Sequence, residues 1–219
     1  MKAFARDLAK EALHRFLPDS AFVWRLPARA AGGIALTFDD GPDPERTPAL
    51  LDLLDSHEVK ASFFLIGAKV EAHPAIARRI AERGHTLGGH TYSHRELPTL
   101  SAEEIRGELE RCREAVAQAA GVDTRLVRPP RGRVDWRSLR AVTRQGYTLV
   151  HWSRTYSDYR QDGVEALLAR IRAAPPKDRD VILLHDVLRD TAEALRHELP
   201  AIERRGLRFY ALDEPGAKS

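Results

Sequence analysis

Residues 33–42 read GIALTFDDGP, an apolar run that ends in two adjacent aspartates and a Gly-Pro pair. The run from Ile34 to Phe38 is typical of a buried strand, which Gly41-Pro42 would end. Asp39 and Asp40 repel each other, and an apolar strand is a poor environment for either carboxylate. Two acids at the end of such a strand indicate that the pair has a use there.

Strand-like and helix-like patterns alternate along the rest of the chain. We predict strands at 33–38, 60–67, 85–90, 124–129, 147–152, 180–185 and 207–212, and helices at 45–56, 69–83, 101–120, 135–145, 163–173 and 190–205. Alternation of this kind implies parallel strands joined by right-handed crossovers. The expected fold class is α/β with about seven parallel strands, and periodicity alone leaves open whether the sheet closes as a barrel.

Composition narrows the class of protein. The 219 residues include 35 basic and 32 acidic ones, which leave a formal charge of +3, and the charges are interspersed. No nucleic-acid partner is therefore expected. The single cysteine, Cys112, excludes a disulfide within the chain and a cysteine-rich metal site. Without an apolar leader or a membrane span in the sequence, the expected location is cytoplasmic.

The first thirty residues carry a different pattern, so we predict two parts: an amphipathic helical segment at 1–30 and a catalytic domain at 31–215. Five apolar residues share one helical face: Phe4, Leu8, Ala12, Leu13 and Phe16. Packing of this face under the barrel is the simpler interpretation. Peripheral contact with the inner face of a membrane stays open as the alternative.

Polar residues collect at the carboxyl ends of the predicted strands. The aspartate pair ends the first strand, GHTYSH (89–94) ends the third, VRPPRG (127–132) the fourth, HWSRTYSDY (151–159) the fifth and LLHD (183–186) the sixth. In parallel α/β folds these ends form one rim, where active sites lie. The sequence therefore predicts an active site at this rim.

A metal ion would explain part of this collection. His90 and His94 are four residues apart, a common spacing for two imidazole ligands of one ion. Thr91 stands where a zincin needs glutamate, so that class is excluded. An aspartate from the first strand is the natural third ligand, and its neighbour would stay free as a base. Solvated turn residues are the simpler alternative for each motif taken alone.

The motifs TFDDGP, HTYSH, RPPRG, HWSRTYSDY and LLH, in this order, resemble those of the polysaccharide deacetylases, the NodB-homology group or carbohydrate esterase family 4. The similarity runs from about Ile34 to Leu212. It implies a distorted (β/α) barrel of seven or eight strands. It also implies that Asp40, His90 and His94 bind the metal, usually Zn²⁺, with Co²⁺ or another divalent ion as an alternative.

The resemblance implies roles for the other motif residues. Asp39 would be the catalytic base, positioned by Arg128. His185 would be the general acid, oriented and kept protonated by Asp158. The backbone N–H of Arg131 would help to hold the oxyanion. These roles match the needs of amide hydrolysis, which requires an activated water, a stabilised oxyanion and a proton for the amine.

Substrate contacts are predicted at three further positions, Leu183, Trp152 and Pro129. Leu183 would line the pocket for the acetyl methyl group. In the fourth motif, Thr155 and Tyr159 stand where the family commonly has aspartate and tryptophan. These differences fall around the groove, where the identity of the substrate is decided.

The third motif has Arg131 where the family usually has tyrosine, and Arg133 follows it. A backbone N–H survives this substitution, so the oxyanion role is retained. The two arginines are compatible with an anionic group such as a phosphate-linked sugar. Solvated rim arginines are the simpler interpretation.

The expected function is removal of N-acetyl groups from an N-acetylhexosamine-containing glycan or its precursor, such as a lipid-linked sugar. An O-acetyl esterase, or a deformylase on a lipid-linked amino sugar, could use the same site. A non-haem iron oxygenase would share the two-His-one-carboxylate set but would leave Asp39 and His185 without a task. An inert carbohydrate-binding relative is the fourth alternative, against which the intact set of motif residues argues.

Overall fold

The computed structural model describes residues 17–18 and 20–212. Within these residues, nine parallel-paired strands lie in one sheet: β1 (Phe22–Val23), β2 (Gly33–Asp39), β3 (Ser62–Leu65), β4 (Thr86–Gly89), β5 (Leu126–Val127), β6 (Thr148–Val150), β7 (Arg154–Thr155), β8 (Val181–His185) and β9 (Arg208–Phe209). Their order is β1-β6-β5-β4-β3-β2-β8-β7, and β9 pairs with the start of β2. The sheet curls into a half-barrel, which confirms the predicted α/β class.

In the described part of the chain, seven α-helices connect the strands: α1 (Arg46–Ser56), α2 (Gly67–Ala72), α3 (Pro74–Glu82), α4 (Ala102–Ala120), α5 (Trp136–Arg144), α6 (Val164–Ala173) and α7 (Arg189–Arg204). The single helix predicted at 69–83 is wrong, because α2 and α3 are separate. Pro74, which has no N–H to donate, begins α3, and His73 before it has a non-helical φ of −134°.

Strand β2, which ends in the aspartate motif, lies in the middle of the sheet. It pairs with β3 on one side and β8 on the other, and Asp39 stands opposite His185 in the β8 register. Alternate residues of β2 face opposite sides of the sheet. Ile34, Leu36 and Phe38 pack in the core under the helices, which turns Thr37 and Asp39 toward the interior of the half-barrel.

The amino-terminal segment is corrected in part. The apolar face predicted for 4–16 lies outside the described residues. Within 17–30, however, the structure has strand β1 and a 3₁₀ turn at Ala28–Ala30 rather than an α-helix. Because β1 pairs with β6, the sheet includes residues before the predicted boundary at 31. Apart from this difference at its start, the domain predicted at 31–215 stays a prediction. Among the described residues, no helix is both long enough and apolar enough to span a bilayer.

Candidate active site

Asp39 ends β2 in a buried ion pair with Arg128. Asp39 Oδ1 accepts a hydrogen bond from Arg128 Nη1 at 2.8 Å, and the same nitrogen donates to Thr37 Oγ1 at 2.7 Å. Thr37 in turn donates to the Ile182 carbonyl. Because Arg128 is itself held by Thr37, its hydrogen bond orients the Asp39 carboxylate, whose Oδ2 lies 3.8 Å from His90 Nε2.

Arg128 has no exposed surface, and the chain surrounds its guanidinium on all sides. The ring centroid of Phe64 lies 4.1 Å from the guanidinium carbon and that of Trp152 lies 5.8 Å away. Nη2 donates to the His151 carbonyl at 3.2 Å. A buried charge of this kind is tolerated only with fixed partners, which here are the aromatic faces, the carbonyl and Asp39.

Asp40, His90 and His94 come together as a potential metal site. Their ligand atoms all lie within 4.8 Å of one another. Asp40 Oδ1 is 3.2 Å from His94 Nε2 and 3.5 Å from His90 Nε2. The three residues predicted as ligands therefore face one point at the mouth of the half-barrel.

The backbone beyond β2 explains how neighbouring aspartates both reach the mouth. Asp40 has a φ of 75°, in the left-handed region, so the chain leaves the strand at this residue and the side-chain alternation ends. Lys69 Nζ donates to the Asp40 carbonyl at 2.7 Å and holds the turn in place. His94 also has a left-handed φ of 61°.

The donor set fits a divalent transition metal. One carboxylate oxygen and two imidazole nitrogens leave further positions for water and substrate, as in catalytic zinc sites. His90 Nδ1 lies 2.8 Å from the Arg128 carbonyl, which can only accept, so Nδ1 carries the proton and Nε2 is free for the ion. Burial lowers the pKa of His90, which favours the neutral imidazole that binds metals.

The charge state of Asp40 suits the same role. Burial opposes ionisation of this carboxyl, but the hydrogen bond from His94 and the neighbouring imidazoles of His90 and His185 outweigh it. Together they lower the pKa of Asp40 to about 2. The group is therefore a carboxylate at neutral pH and can ligate a cation.

His185 lies opposite Asp39 at the end of β8. Its Nδ1 is 2.9 Å from Asp158 Oδ1, and its Nε2 is 4.0 Å from Asp40 Oδ2. Burial disfavours the charged imidazole, but the hydrogen bond and charge of Asp158 prevail and raise the pKa of His185 to about 9. The imidazolium is therefore the main form at neutral pH, and its Nε2–H faces the cluster of predicted ligands.

Asp158 is itself fully engaged. Its Oδ2 accepts from the backbone N–H of His185 and from Thr191 Oγ1, both at 2.8 Å, and its Oδ1 accepts from the Tyr159 N–H at 3.1 Å. A carboxylate with several donors keeps its charge and its orientation. Tyr159 is exposed, and its ring stands edge-on to His185 with centroids 6.3 Å apart.

The predicted substrate residues lie around this centre. Leu183 is buried and shares a strand face with His185, two positions later. Pro129 is buried directly after Arg128, and Trp152 is half-buried against its guanidinium. The amide of Arg131 donates no hydrogen bond within the described part of the chain. Its role as an oxyanion donor stays a prediction.

Several supporting residues were missed by sequence reasoning. Asp186 is fully buried, and burial raises the pKa of its carboxyl to about 7. Its Oδ2 accepts from Thr47 Oγ1 at 2.5 Å, and a Cβ on Gly41 would lie 2.2 Å from this oxygen. Glycine is therefore required at 41. The signal was present, because Asp186 directly follows His185 and Gly41 directly follows Asp40.

Fold and side chains together define an α/β half-barrel with a two-His-one-carboxylate cluster between a buried carboxylate–arginine pair and a carboxylate-bound histidine. The family model described as polysaccharide deacetylase matches residues 28–150. The chain belongs to this family.

Several relatives named as deacetylases are similar to this protein over most of the chain. A peptidoglycan-N-acetylglucosamine deacetylase of Bacillus cereus is 36% identical over 82% of this chain and 66% of its own length. The peptidoglycan-N-acetylglucosamine deacetylase PgdA of Listeria monocytogenes is 32% identical, over 98% of this chain and 45% of its own length. The peptidoglycan-N-acetylmuramic acid deacetylase PdaA of Bacillus subtilis is 36% identical, over 83% and 70%. The chain thus spans between about half and two thirds of the first two relatives.

A solved peptidoglycan N-acetylglucosamine deacetylase superposes with a TM-score of 0.82 at 34% identity, over 87% of this chain and 90% of that one. The peptidoglycan deacetylase PdaC of Bacillus subtilis gives 0.76 at 28% identity, over 84% and 89%.

Proposed function

We propose that this protein is a metal-dependent hydrolase that removes N-acetyl groups from an N-acetylhexosamine-containing glycan. The observation that carries the proposal is the convergence of Asp39 and His185 on the Asp40–His90–His94 cluster, each within about 4 Å of one of its members. A base and an acid beside a cation site are what amide hydrolysis needs. The deacetylase activities for which the relatives are named support the same chemistry.

Zn²⁺ is the proposed ion, with Co²⁺ as a functional substitute, because a carboxylate with two imidazoles is a common donor set for zinc. Asp40, His90 and His94 would hold it. A divalent cation bound there supplies a Lewis acid that polarises the amide carbonyl and lowers the pKa of water from 15.7 toward about 7.

The side chains of the protein handle the protons. Asp39 takes a proton from the attacking water, whose oxygen bonds to the acetyl carbon, while Arg128 keeps the carboxylate aimed and unable to rotate. The N–H of Arg131 donates to the oxyanion that develops on the carbonyl oxygen. His185 Nε2 gives its proton to the amide nitrogen as the C–N bond breaks. The products are acetate and the free amine.

The proposed substrate class is an acetylated amino-sugar polymer or its precursor, including a lipid-linked sugar. The relatives are named for N-acetylglucosamine and N-acetylmuramic acid residues of peptidoglycan. Cytoplasmic location and contact of the amino-terminal segment with a membrane both stay predictions from the sequence.

Acetate release from N-acetylchitotetraose is the first test, with the protein stripped by chelator and then reloaded with Zn²⁺ or Co²⁺. We expect activity only in the reloaded samples. An O-acetylated and an N-formylated glucosamine derivative belong in the same panel, because the same site could hydrolyse both bonds. Oxygen consumption with added Fe²⁺ and no release of acetate would instead support the oxygenase and overturn the proposal.

A further inference from the structure

Four residues on the segments after β4 and β5 have side chains that the chemistry above does not use. We call Glu96, Arg131, Arg133 and Trp136 the arginine rim. Arg131 Nη1 lies 3.1 Å from Glu96 Oε1, and Arg133 Nη1 donates to Glu96 Oε2 at 2.7 Å. One carboxylate thus serves two guanidinium groups, so the three side chains carry a net charge of +1.

Both guanidinium groups have N–H donors that the ion pair with Glu96 does not use. The Arg131 and Arg133 side chains are 72% and 62% exposed, and among the described residues each guanidinium forms its ion pair with Glu96. Each guanidinium has five N–H donors in a fork that matches a carboxylate or a phosphate. Arg137 nearby is different, because it donates to the carbonyls of Leu100 and Pro98 and serves the fold.

The arginine rim adjoins the predicted metal ligands. Glu96 follows the ligand His94 by two residues, so their Cα atoms are at most about 7 Å apart. Arg131 follows Arg128 by three residues, and the Arg128 guanidinium binds Asp39. A sugar held with its acetamido group at the metal would therefore present a substituent, or its neighbouring sugar, to these arginines.

Trp136 adds an independent observation. Large aromatic side chains are mostly buried, yet Trp136 is 68% exposed. It begins α5, whose start is fixed by the Asp135 cap and by Arg137. Tryptophan and arginine are enriched at binding hot spots, and the flat face of an exposed indole suits the apolar face of a pyranose ring. Trp136 follows Arg133 by three residues.

We propose that the arginine rim is a subsite for an anionic sugar, in which Arg131 and Arg133 bind a carboxylate or phosphate on the substrate and Trp136 contacts a sugar ring. This inference rests on the proposed function and narrows its substrate class to glycans that carry negative charge beside the acetylated amine. In the absence of substrate, Glu96 holds the two guanidinium groups in place through its ion pairs.

The test compares three tetrasaccharides with the Zn²⁺-loaded protein: neutral N-acetylchitotetraose, a tetramer alternating N-acetylglucosamine with the carboxylate-bearing N-acetylmuramic acid, and 6-O-phosphorylated N-acetylchitotetraose. Acetate release gives kcat/KM, and calorimetry gives the affinity. One exposed charge pair is worth at most about fivefold, so we expect a roughly fivefold preference for an anionic tetramer, larger at low salt. The arm with the larger preference identifies the anion as carboxylate or phosphate.

Two variants of Arg133, one of Trp136 and one control complete the design. In Arg133→Gln the anionic-to-neutral ratio should fall toward one, and in Arg133→Glu it should fall below one. Trp136→Ala should weaken binding of all three tetramers. Arg196→Gln removes an exposed arginine that likewise pairs with one glutamate, Glu193, on α7, and it should keep the wild-type ratio.

Equal kcat/KM and affinity for neutral and anionic tetramers would overturn the subsite while leaving the deacetylase proposal intact. A preference that survives Arg133→Glu would overturn it as well. No acetate from any tetramer would overturn the proposed function. In that case calorimetry still decides the subsite, because an anion preference lost in Arg133→Glu supports it and uniform affinity refutes it.

Discussion

Two sets of arginine–carboxylate contacts flank the predicted metal ligands, and their surroundings are opposite. Arg128 and Asp39 are buried between aromatic rings, with a contact of 2.8 Å that three other groups support. Arg131 and Arg133 meet Glu96 at 3.1 and 2.7 Å on the surface, where both guanidinium groups face water. The same chemical pair is thus used once inside the half-barrel and twice on its rim.

This difference separates two tasks. A buried ion pair contributes little net stability, but removal of one partner leaves a costly unpaired charge, so both groups are fixed in place. An exposed pair is nearly neutral for stability and exchanges partners freely. The inner pair, Asp39 and Arg128, is therefore suited to orienting a base. The outer contacts, which Glu96 makes with Arg131 and Arg133, are suited to recognising a ligand.

The largest expected effect comes from breaking the inner pair. Arg128→Met leaves the Asp39 carboxylate buried and unpaired, which should lower the free energy of unfolding by about 3–5 kcal/mol in urea titrations. Acetate release should fall by at least about 100-fold, because the carboxylate of Asp39, the proposed base, loses the hydrogen bond that orients it. In Arg133→Met, the matched change outside, the urea midpoint should stay at the wild-type value.

The double variant Asp39→Asn/Arg128→Met keeps this prediction decisive if Arg128→Met does not fold. It removes both charges, so most of the lost stability should return while activity stays absent. A double variant as unstable as Arg128→Met would show that packing around Arg128, and not the charge of Asp39, sets the cost.

A second prediction divides metal binding from proton transfer. His94→Ala removes a proposed ligand and should weaken Zn²⁺ affinity by more than about 100-fold, beyond the loss typical of an outer-shell partner. His185→Ala should leave that affinity within a few-fold and lower turnover by about 100- to 10,000-fold. Calorimetric titration of Zn²⁺ and acetate release measure the two quantities. Equal loss of affinity in both variants would make His185 a ligand and contradict its role as acid.

Much of the fold and the centre of the site could be predicted from the sequence for a physical reason. Local periodicity of apolar residues predicts strands and helices, and parallel strands bring their carboxyl ends to one edge of the sheet. The residues of TFDDGP, HTYSH and LLH therefore had to converge, and Asp39, Asp40, His90, His94 and His185 do lie together.

The parts that escaped depend on contacts between distant loops. Nothing local in the sequence pairs Lys69 with the Asp40 carbonyl or Glu96 with Arg133, because both contacts follow from tertiary packing. The exposure of Trp136 also depends on how α5 packs against the rest of the protein. The break at Pro74 is different, since proline in a helical pattern is a local signal that was available.

A third prediction concerns the pH dependence set by Asp158. Asp158→Asn removes the charge that raises the pKa of His185, so the alkaline limb of kcat should move to lower pH. The sign for stability follows from linkage. A histidine with a folded pKa of about 9 and an unfolded one of 6.5 stabilises the fold fully below pH 6.5 and loses this contribution as the pH rises through 9.

In urea titrations of the metal-free protein, the decline of stability between pH 6.5 and 9 should be smaller in Asp158→Asn than in the wild type. Thr191→Val removes only a neutral donor to Asp158 and should shift the profile much less. An unchanged alkaline limb in Asp158→Asn would assign that limb to another group and remove the support for His185 as the acid.

The smallest expected effect tests what supports the outer contacts. Asp135 caps α5, its Oδ1 accepting from the Ser138 N–H at 2.7 Å, directly before Trp136. Asp135→Ala should cost about 1 kcal/mol in urea titrations and lower the anionic-to-neutral ratio of kcat/KM, because the start of α5 frays. Asp135→Asn keeps the capping oxygen and removes only the charge, so both values should stay near wild type. If Asp135→Asn changed the ratio as much as Asp135→Ala, the charge of Asp135 near Arg133, and not the order of the start of α5, would determine the anionic-to-neutral ratio.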